Sequence, residues 1–214
     1  MSLFDRLRRG PAVDDARWVV LDVESSGLDP SRDRLLAIAA LAVRIDGRRP
    51  AIALGDSFEI VLRSEAASAP DKANILVHGI GVGAQRAGVD PAEALAAFER
   101  WVGASPLLAF HAAFDQTLIG RGFDAALGRR LPNPWLDIAP LAELLHPQVA
   151  ARSLDEWMQH FGIVCAVRHQ AAADTLATAE LLLKLWPALR KELPRPRFGA
   201  VARLAASRRW VGGR

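Results

Sequence analysis

The sequence predicts an α/β fold, a mixed sheet with helices on both faces. Three observations lead there. The opening third reads as strands joined by tight turns. The remainder alternates helical periodicity with one short apolar run. Apolar residues make up 51% of 214 positions, enough for one substantial core and awkward for two.

Residues 1–16 are expected as a flexible lead-in, residues 17–190 as the folded domain and residues 191–214 as a basic C-terminal tail. Residues 17–23 (RWVVLDV) are β-rich and nearly continuous in apolar side chains, as in a buried central strand. Ser25, Ser26, Gly27, Asp29 and Pro30 form a turn cluster. A second strand follows at 35–44, and Asp46-Gly47 predicts a hairpin into a third near 57–62. Residues 91–102 place apolar side chains at 94, 95, 98, 101 and 102, an amphipathic helical spacing. A short buried strand is expected at 107–110 and a helix at 113–127. Ser153 and Glu156 make a capping box that opens a helix over 154–161, which Gly162 ends. The last long helix is expected from about residue 170 to 185, with Pro187 interrupting or kinking it.

Composition narrows the function. The longest apolar run, residues 35–43, is far shorter than the roughly 20 residues a membrane helix needs. The basic N-terminus has no apolar stretch behind it, so no secretory signal is read there. Cys165 is the single cysteine, which excludes an intrachain disulfide and a thiolate cluster. A cytoplasmic protein with no membrane partner is expected. Net charge is +3, and its placement matters more than its size. Acids are absent after Glu192, whereas Arg195, Arg197, Arg203, Arg208, Arg209 and Arg214 all lie beyond it. Such a tail suits phosphates, and a solvated tail that binds nothing explains it too.

Three acidic features stand in one order. Asp22 and Glu24 sit at the end of the first strand, and alternation points both to one face, about 7 Å apart. Two such carboxylates suit hard divalent cations, and an apolar strand has no packing use for them. Alone, D-x-E is a short motif that recurs by chance, and an exposed strand end whose acids are only solubilising is the better reading of it. Asp115 follows the 107–110 strand; as an isolated residue it reads as an ordinary acid in a helix first turn. Asp174 lies in an otherwise apolar helix, and His169 precedes it by five residues. Histidine changes protonation near neutral pH, as a general base must, although a lone histidine is more often a surface group.

The set changes the reading. D-x-E at a strand end, H-x-x-F-D after a strand and H-x4-D entering a helix together resemble the DEDDh exonucleases, the DnaQ-like family of the proofreading epsilon subunit of bacterial DNA polymerase III. LDVESSGLDP (21–30), LLAFHAAFDQTLIGRGF (107–123) and RHQAAADTLATAELL (168–182) carry the resemblance. NILVHGIG (74–81), LDIAPLAELLHP (136–147) and SLDEWMQHFGI (153–163) look like the family's intervening segments. The similarity covers about residues 17–186.

The resemblance implies a ribonuclease H-like, mixed five-stranded sheet and 3′→5′ exonuclease activity that releases nucleoside 5′-monophosphates. It implies Asp22, Glu24, Asp115 and Asp174 as ligands of two Mg²⁺ or Mn²⁺ ions and His169 as general base. Ser25, Ser26, Gly27, Leu28, His111 and Phe114 fall at substrate-contacting positions; core packing is an equal reading for Leu28 and Phe114, and a satisfied strand-end histidine for His111. The implied partners are single-stranded nucleic acid 3′ ends, DNA favoured, and a DNA polymerase. Asp137 reads as a structural N-cap. Three departures affect substrate contacts and not the five catalytic positions: Ser25-Ser26 replaces the common Thr pair, Ala112 the common Asn, and Gly81 a common Thr. An RNA-directed exonuclease and a catalytically idle nucleic-acid-binding polymerase subunit are the competing functions; the complete acid set speaks against the second.

Overall fold

In a computed structural model of the protein, the structure describes residues 13–46, 49–64, 75 and 79–207. Five strands form one mixed sheet: β1 (Arg17–Ser25), β2 (Leu35–Ile45), β3 (Pro50–Val61), β4 (Leu107–Ala109) and β5 (Trp135–Asp137), in the order β3-β2-β1-β4-β5. β1, β2 and β3 form an antiparallel meander, and β4 and β5 add on in parallel beyond β1.

The helices are α1 (Val82–Ala87), α2 (Pro91–Val102), α3 (Ala113–Leu127), α4 (Ile138–Leu145), α5 (Leu154–Phe161), α6 (Ala171–Glu192) and α7 (Phe198–Ser207). They cover both faces. Trp18 and Val20 belong to a core cluster with residues of α4 to α7, whereas Val19, Leu21 and Val23 join one with α2 and α3. A central strand buried on both sides must be apolar at every position, which is why β1 opens as a continuous apolar run.

β1 outruns its neighbour. β4 pairs only with Val19 and Val20 and stops at Ala109, so the last residues of β1 have no strand on that side. Asp22 and Glu24 continue the Trp18–Val20 row past the end of the core. Apolar burial builds the strand, and its polar end projects where the sheet opens.

Several elements differ from expectation. β1 extends to Ser25, and β3 is longer than the expected 57–62. Gly47 of the expected hairpin, half of segment 74–81 (74 and 76–78), residues 1–12 of the lead-in, and Arg208, Arg209 and Arg214 lie outside the described residues. β5, α1 and α4 had no periodic signal of their own. Pro187 does not end α6, which continues to Glu192. An internal proline costs about 3 kcal/mol. Complete or near-complete burial of Leu185, Trp186 and Leu189 on the same stretch opposes that cost. The basic stretch after 190 contains α7, whose Phe198, Val201 and Ala205 are buried in the core. The Phe198 ring meets Trp18 edge-on at 5.8 Å, and its backbone N–H donates to Asp15 Oδ1 at 2.8 Å. Among the described residues, no helix is long and apolar enough to cross a membrane.

Candidate active site

Four acids converge at the open end of β1. Asp22 and Glu24 come from the strand itself. Asp115 comes from the first turn of α3, because the chain leaves β4, turns at His111 and enters the helix directly. There its carboxylate accepts the backbone N–H of Val23, a donor that β4 is too short to satisfy, together with its own N–H. Asp174 comes from the first turn of α6. That helix starts against β1: Glu24 accepts the N–H of Ala171, and Thr175 Oγ1 donates to the carbonyl of Ala39 at 3.1 Å. Two helix N-termini, α3 and α6, thus direct their positive ends at the cluster.

The electrostatics show how tightly these groups are held. Burial raises the Asp22 carboxyl well above its ordinary range, and the charges of Asp115, Glu24 and Asp174 raise it further; Arg168 pulls the other way. Glu24 is pushed up to about 7, chiefly by burial, with Asp174 adding and the Ala171 N–H opposing. Asp115 rises to about 8, again chiefly by burial, against its two N–H partners. Burial disfavours the ionised form of each carboxylate, and the charges of its neighbours add to that. Glu24 Oε1 is buried and has no hydrogen-bond partner among the described residues.

His169 stands immediately before α6, exposed, with φ 62°. Its backbone N–H donates to Asp174 Oδ2 at 3.2 Å. Among the described residues the imidazole makes no hydrogen bond, so the structure joins His169 to the acids through its backbone. His111 is the other non-glycine residue at positive φ, 59°. Two left-handed histidines on the loops flanking one acid cluster are uncommon backbone, of the kind that collects at functional sites. The His111 N–H donates to Asp137 Oδ1 at 2.9 Å, and Asp137 also caps α4, as expected of it.

The other expected substrate positions form a rim. The β1–β2 loop is closed by Ser26, whose backbone N–H donates to the Arg34 carbonyl at 3.0 Å and whose Oγ accepts the Arg34 N–H at 2.9 Å. Ser25 Oγ donates to the Gly27 carbonyl. Leu28 at the loop tip is 91% exposed, and Phe114 is half-buried against the α2–α3 core. Beyond the loop a cleft of about 660 Å³, lined in part by Arg34, Arg63 and Arg121, contains none of the four acids.

Three features were not singled out from sequence. Arg168 pairs with both Asp155 and Asp174. Cys165 Sγ lies 3.8 Å from Asp174 Oδ1. Val164 and Val167 are exposed on the α5–α6 loop. The arginine directly before His169 was the available signal, but its partner Asp155 looks like an ordinary helix-start acid. Among the described residues, no three His, Cys, Asp or Glu side chains stand ready-made around one metal position. Arg168 occupies Oδ1 of Asp174.

The chain is 33% identical over 208 residues to a DNA polymerase III subunit epsilon-like protein of Rhodobacter capsulatus, covering 92% of this chain and 28% of that protein. It is 30% identical to the PolC-type DNA polymerase III of Clostridium perfringens, covering 84% of this chain and 12% of that one. The chain therefore spans well under a third of these relatives. Among solved structures, exonuclease I from Methylocaldum szegediense superposes with a TM-score of 0.66 at 20% identity, covering 84% of this chain and 41% of that one. E. coli exonuclease I in complex with a dT13 oligonucleotide superposes with a TM-score of 0.66 at 21% identity, covering 83% and 43%. Both likenesses concern the fold, and both share its ribonuclease H-like sheet. The exonuclease family model named for RNase T matches residues 19–182, and on that match the chain belongs to this family of exonucleases, of the DEDDh type.

Proposed function

We propose that the chain is a metal-dependent 3′→5′ exonuclease that trims single-stranded or frayed DNA ends to nucleoside 5′-monophosphates. The carrying observation is the cluster of Asp22, Glu24, Asp115 and Asp174 at the end of β1, with Asp115 and Asp174 buried and Asp22 and Glu24 half-buried. The donor set fits hard divalent cations: every group is a carboxylate, and Glu24 Oε1 is buried with nothing to bind among the described residues. Asp22, Glu24, Asp115 and Asp174 would hold two Mg²⁺ or Mn²⁺ ions. When bound, such ions supply charge to the scissile phosphate and to the attacking and leaving oxygens.

The chain's own residues supply the rest. His169, exposed at the rim and unrestrained at its imidazole, is the group suited to take the proton of the attacking water. Leu28 and Phe114 are apolar surfaces for a terminal base, and Ser25, Ser26, Gly27 and His111 lie on the loops that border it. Solved exonuclease I structures carry single-stranded DNA or dT13, and one carries zinc, which favours DNA as substrate here. The named relatives are a DNA polymerase III subunit epsilon-like protein and a PolC-type DNA polymerase III, so a DNA polymerase is the partner this reading favours.

The test digests 5′-labelled single-stranded DNA and RNA with Mg²⁺, with excess EDTA, and with His169→Ala. DNA should shorten from its 3′ end faster than RNA. EDTA should stop digestion, and the variant should slow it on the order of 10²- to 10⁴-fold while binding Mn²⁺ normally. Undiminished digestion in EDTA would sink the metal reading, and a variant within a few-fold of the parent would move the proton to another group.

A further inference from the structure

Asp174 is already engaged on both oxygens. Its Oδ1 takes Nη1 of Arg168, and its Oδ2 takes the backbone N–H of His169. Arg168 also reaches Asp155 in the first turn of α5, through Nε to Oδ1 and through Nη2 to Oδ2 at 3.2 Å. The guanidinium therefore bridges the starts of α5 and α6, and the loop between them carries His169. Arg168 is mostly buried; its side chain is 24% exposed. Its planar fork suits two carboxylates at once, and lysine would not reproduce it.

We propose that Arg168 is the internal counter-ion of the acid cluster. A divalent ion that takes Asp174 must displace it, and the displacement frees the 162–170 loop to bring His169 to the attacking water. This rests on the metal reading above. The argument is one of charge and place. The cluster brings four carboxylates together, and Arg168 is the cation hydrogen-bonded to one of them, Asp174. A metal coordinated by Asp174 needs the oxygen that Arg168 holds, and two cations crowded on one carboxylate repel. Exchange on one oxygen therefore couples metal entry to release of the α5–α6 loop. Arg168 touches no substrate in this scheme; it is a positioning residue.

The test measures Mn²⁺ binding by electron paramagnetic resonance and amide hydrogen exchange across 162–170, both without nucleic acid, for the parent, Arg168→Gln and Asp155→Asn. Arg168→Gln should bind Mn²⁺ about tenfold more tightly, because the competing cation is gone. Exchange in the loop should rise when Mn²⁺ is added to the parent, and should start high in metal-free Arg168→Gln. Asp155→Asn keeps all four acids and Arg168 and removes one anchor of the bridge. It should raise loop exchange and tighten Mn²⁺ binding by a smaller factor, and it carries the test if Arg168→Gln does not fold. Equal or weaker Mn²⁺ binding by the variants, with Mn²⁺ bound by the parent, overturns the role of Arg168 alone. A parent that binds no Mn²⁺ overturns this inference and the metal reading together.

Discussion

Asp22 and Asp174 belong to one cluster, yet their surroundings pull in opposite directions. Asp22 meets burial and three like charges. Asp174 accepts from Arg168 and from the His169 N–H. In the metal-free protein, Asp22→Asn should therefore raise the melting temperature, because an amide of the same shape relieves the repulsion. Asp174→Asn should lower it, because half-buried Arg168 loses one of its two carboxylate partners. The pH dependence follows from the same groups. Glu24 and Asp115 titrate near 7 and 8 when folded, against ordinary values of 4.5 and 3.8. Between those limits the folded protein keeps protons that the unfolded chain has released, so stability falls as pH rises through that window. Melting followed from about pH 5 to about pH 8 without metal should show this decline, and Asp22→Asn should flatten it. A flat parent profile, or equal losses in both variants, would show that these acids are not strained by one another. The four acids were singled out in the sequence by the resemblance that their motifs carry together; each alone reads as an ordinary strand-end or helix-start acid. Arg168 was not, because its significance depends on two helix starts meeting in space.

At the scale of elements, the β1–β2 loop shows how a turn cluster becomes a rim of the site. Asp33 Oδ1 accepts Ser26 Oγ at 3.1 Å, and its Oδ2 accepts the Asp29 N–H at 2.8 Å. Arg121 of α3 donates to the carbonyls of Pro30 and Asp33, tying the loop to the helix that carries Asp115. A Cβ on Gly27 would lie 2.5 Å from Asp33 Oδ2, so no side chain fits there while Asp33 holds the loop. Gly27→Ala should push Asp33 out of place, tilt Leu28 and raise KM on the order of tenfold, equivalent to about 1.4 kcal/mol of binding. Turnover should change less, since the acids belong to other segments. An unchanged KM would mean that this loop does not position substrate. Elements with strong local signals were legible: α2 from amphipathic spacing, and α5 from the Ser153–Glu156 box and Gly162, both of which the structure contains. β5 was not, because three residues of strand carry no period; its place beside β4 is fixed by tertiary pairing. The extent of α6 beyond Pro187 was hidden likewise, since core burial overrides a local breaker.

Across the whole molecule, the acids lie at one end of the sheet and the basic C-terminal segment at the other. α7 is tied to Asp15, just before β1, so Arg195, Arg197 and Arg203 sit near the start of a strand whose far end carries Glu24. Nine residues of strand put these ends about 26 Å apart. A substrate must therefore be several nucleotides long to touch both. At the acid end, Leu28 is 91% and Val164 88% exposed, and the half-buried ring of Phe114 lies between strand and helix. Apolar groups so exposed gain by stacking on a base that has left its neighbours, and a paired end must first pay a few kcal/mol to unstack. Single-stranded and mismatched 3′ ends should be digested faster than a matched blunt duplex at one salt concentration. Faster digestion of the duplex, or attack from the 5′ end, would overturn this. Removing the chain after Glu192 is a poor test of the arginines, because Phe198, Val201 and Ala205 would leave the core with them. Replacing Arg195, Arg197 and Arg203 by serine keeps those contacts, since all three are exposed. Each lost phosphate contact should reduce the slope of log affinity against log salt by roughly 0.7 on single strands. The reduction should appear with long oligonucleotides and vanish with trinucleotides, which cannot span the sheet. A slope unchanged for both lengths would leave these arginines merely solvated, and a slope reduced for both would place them beside the acids.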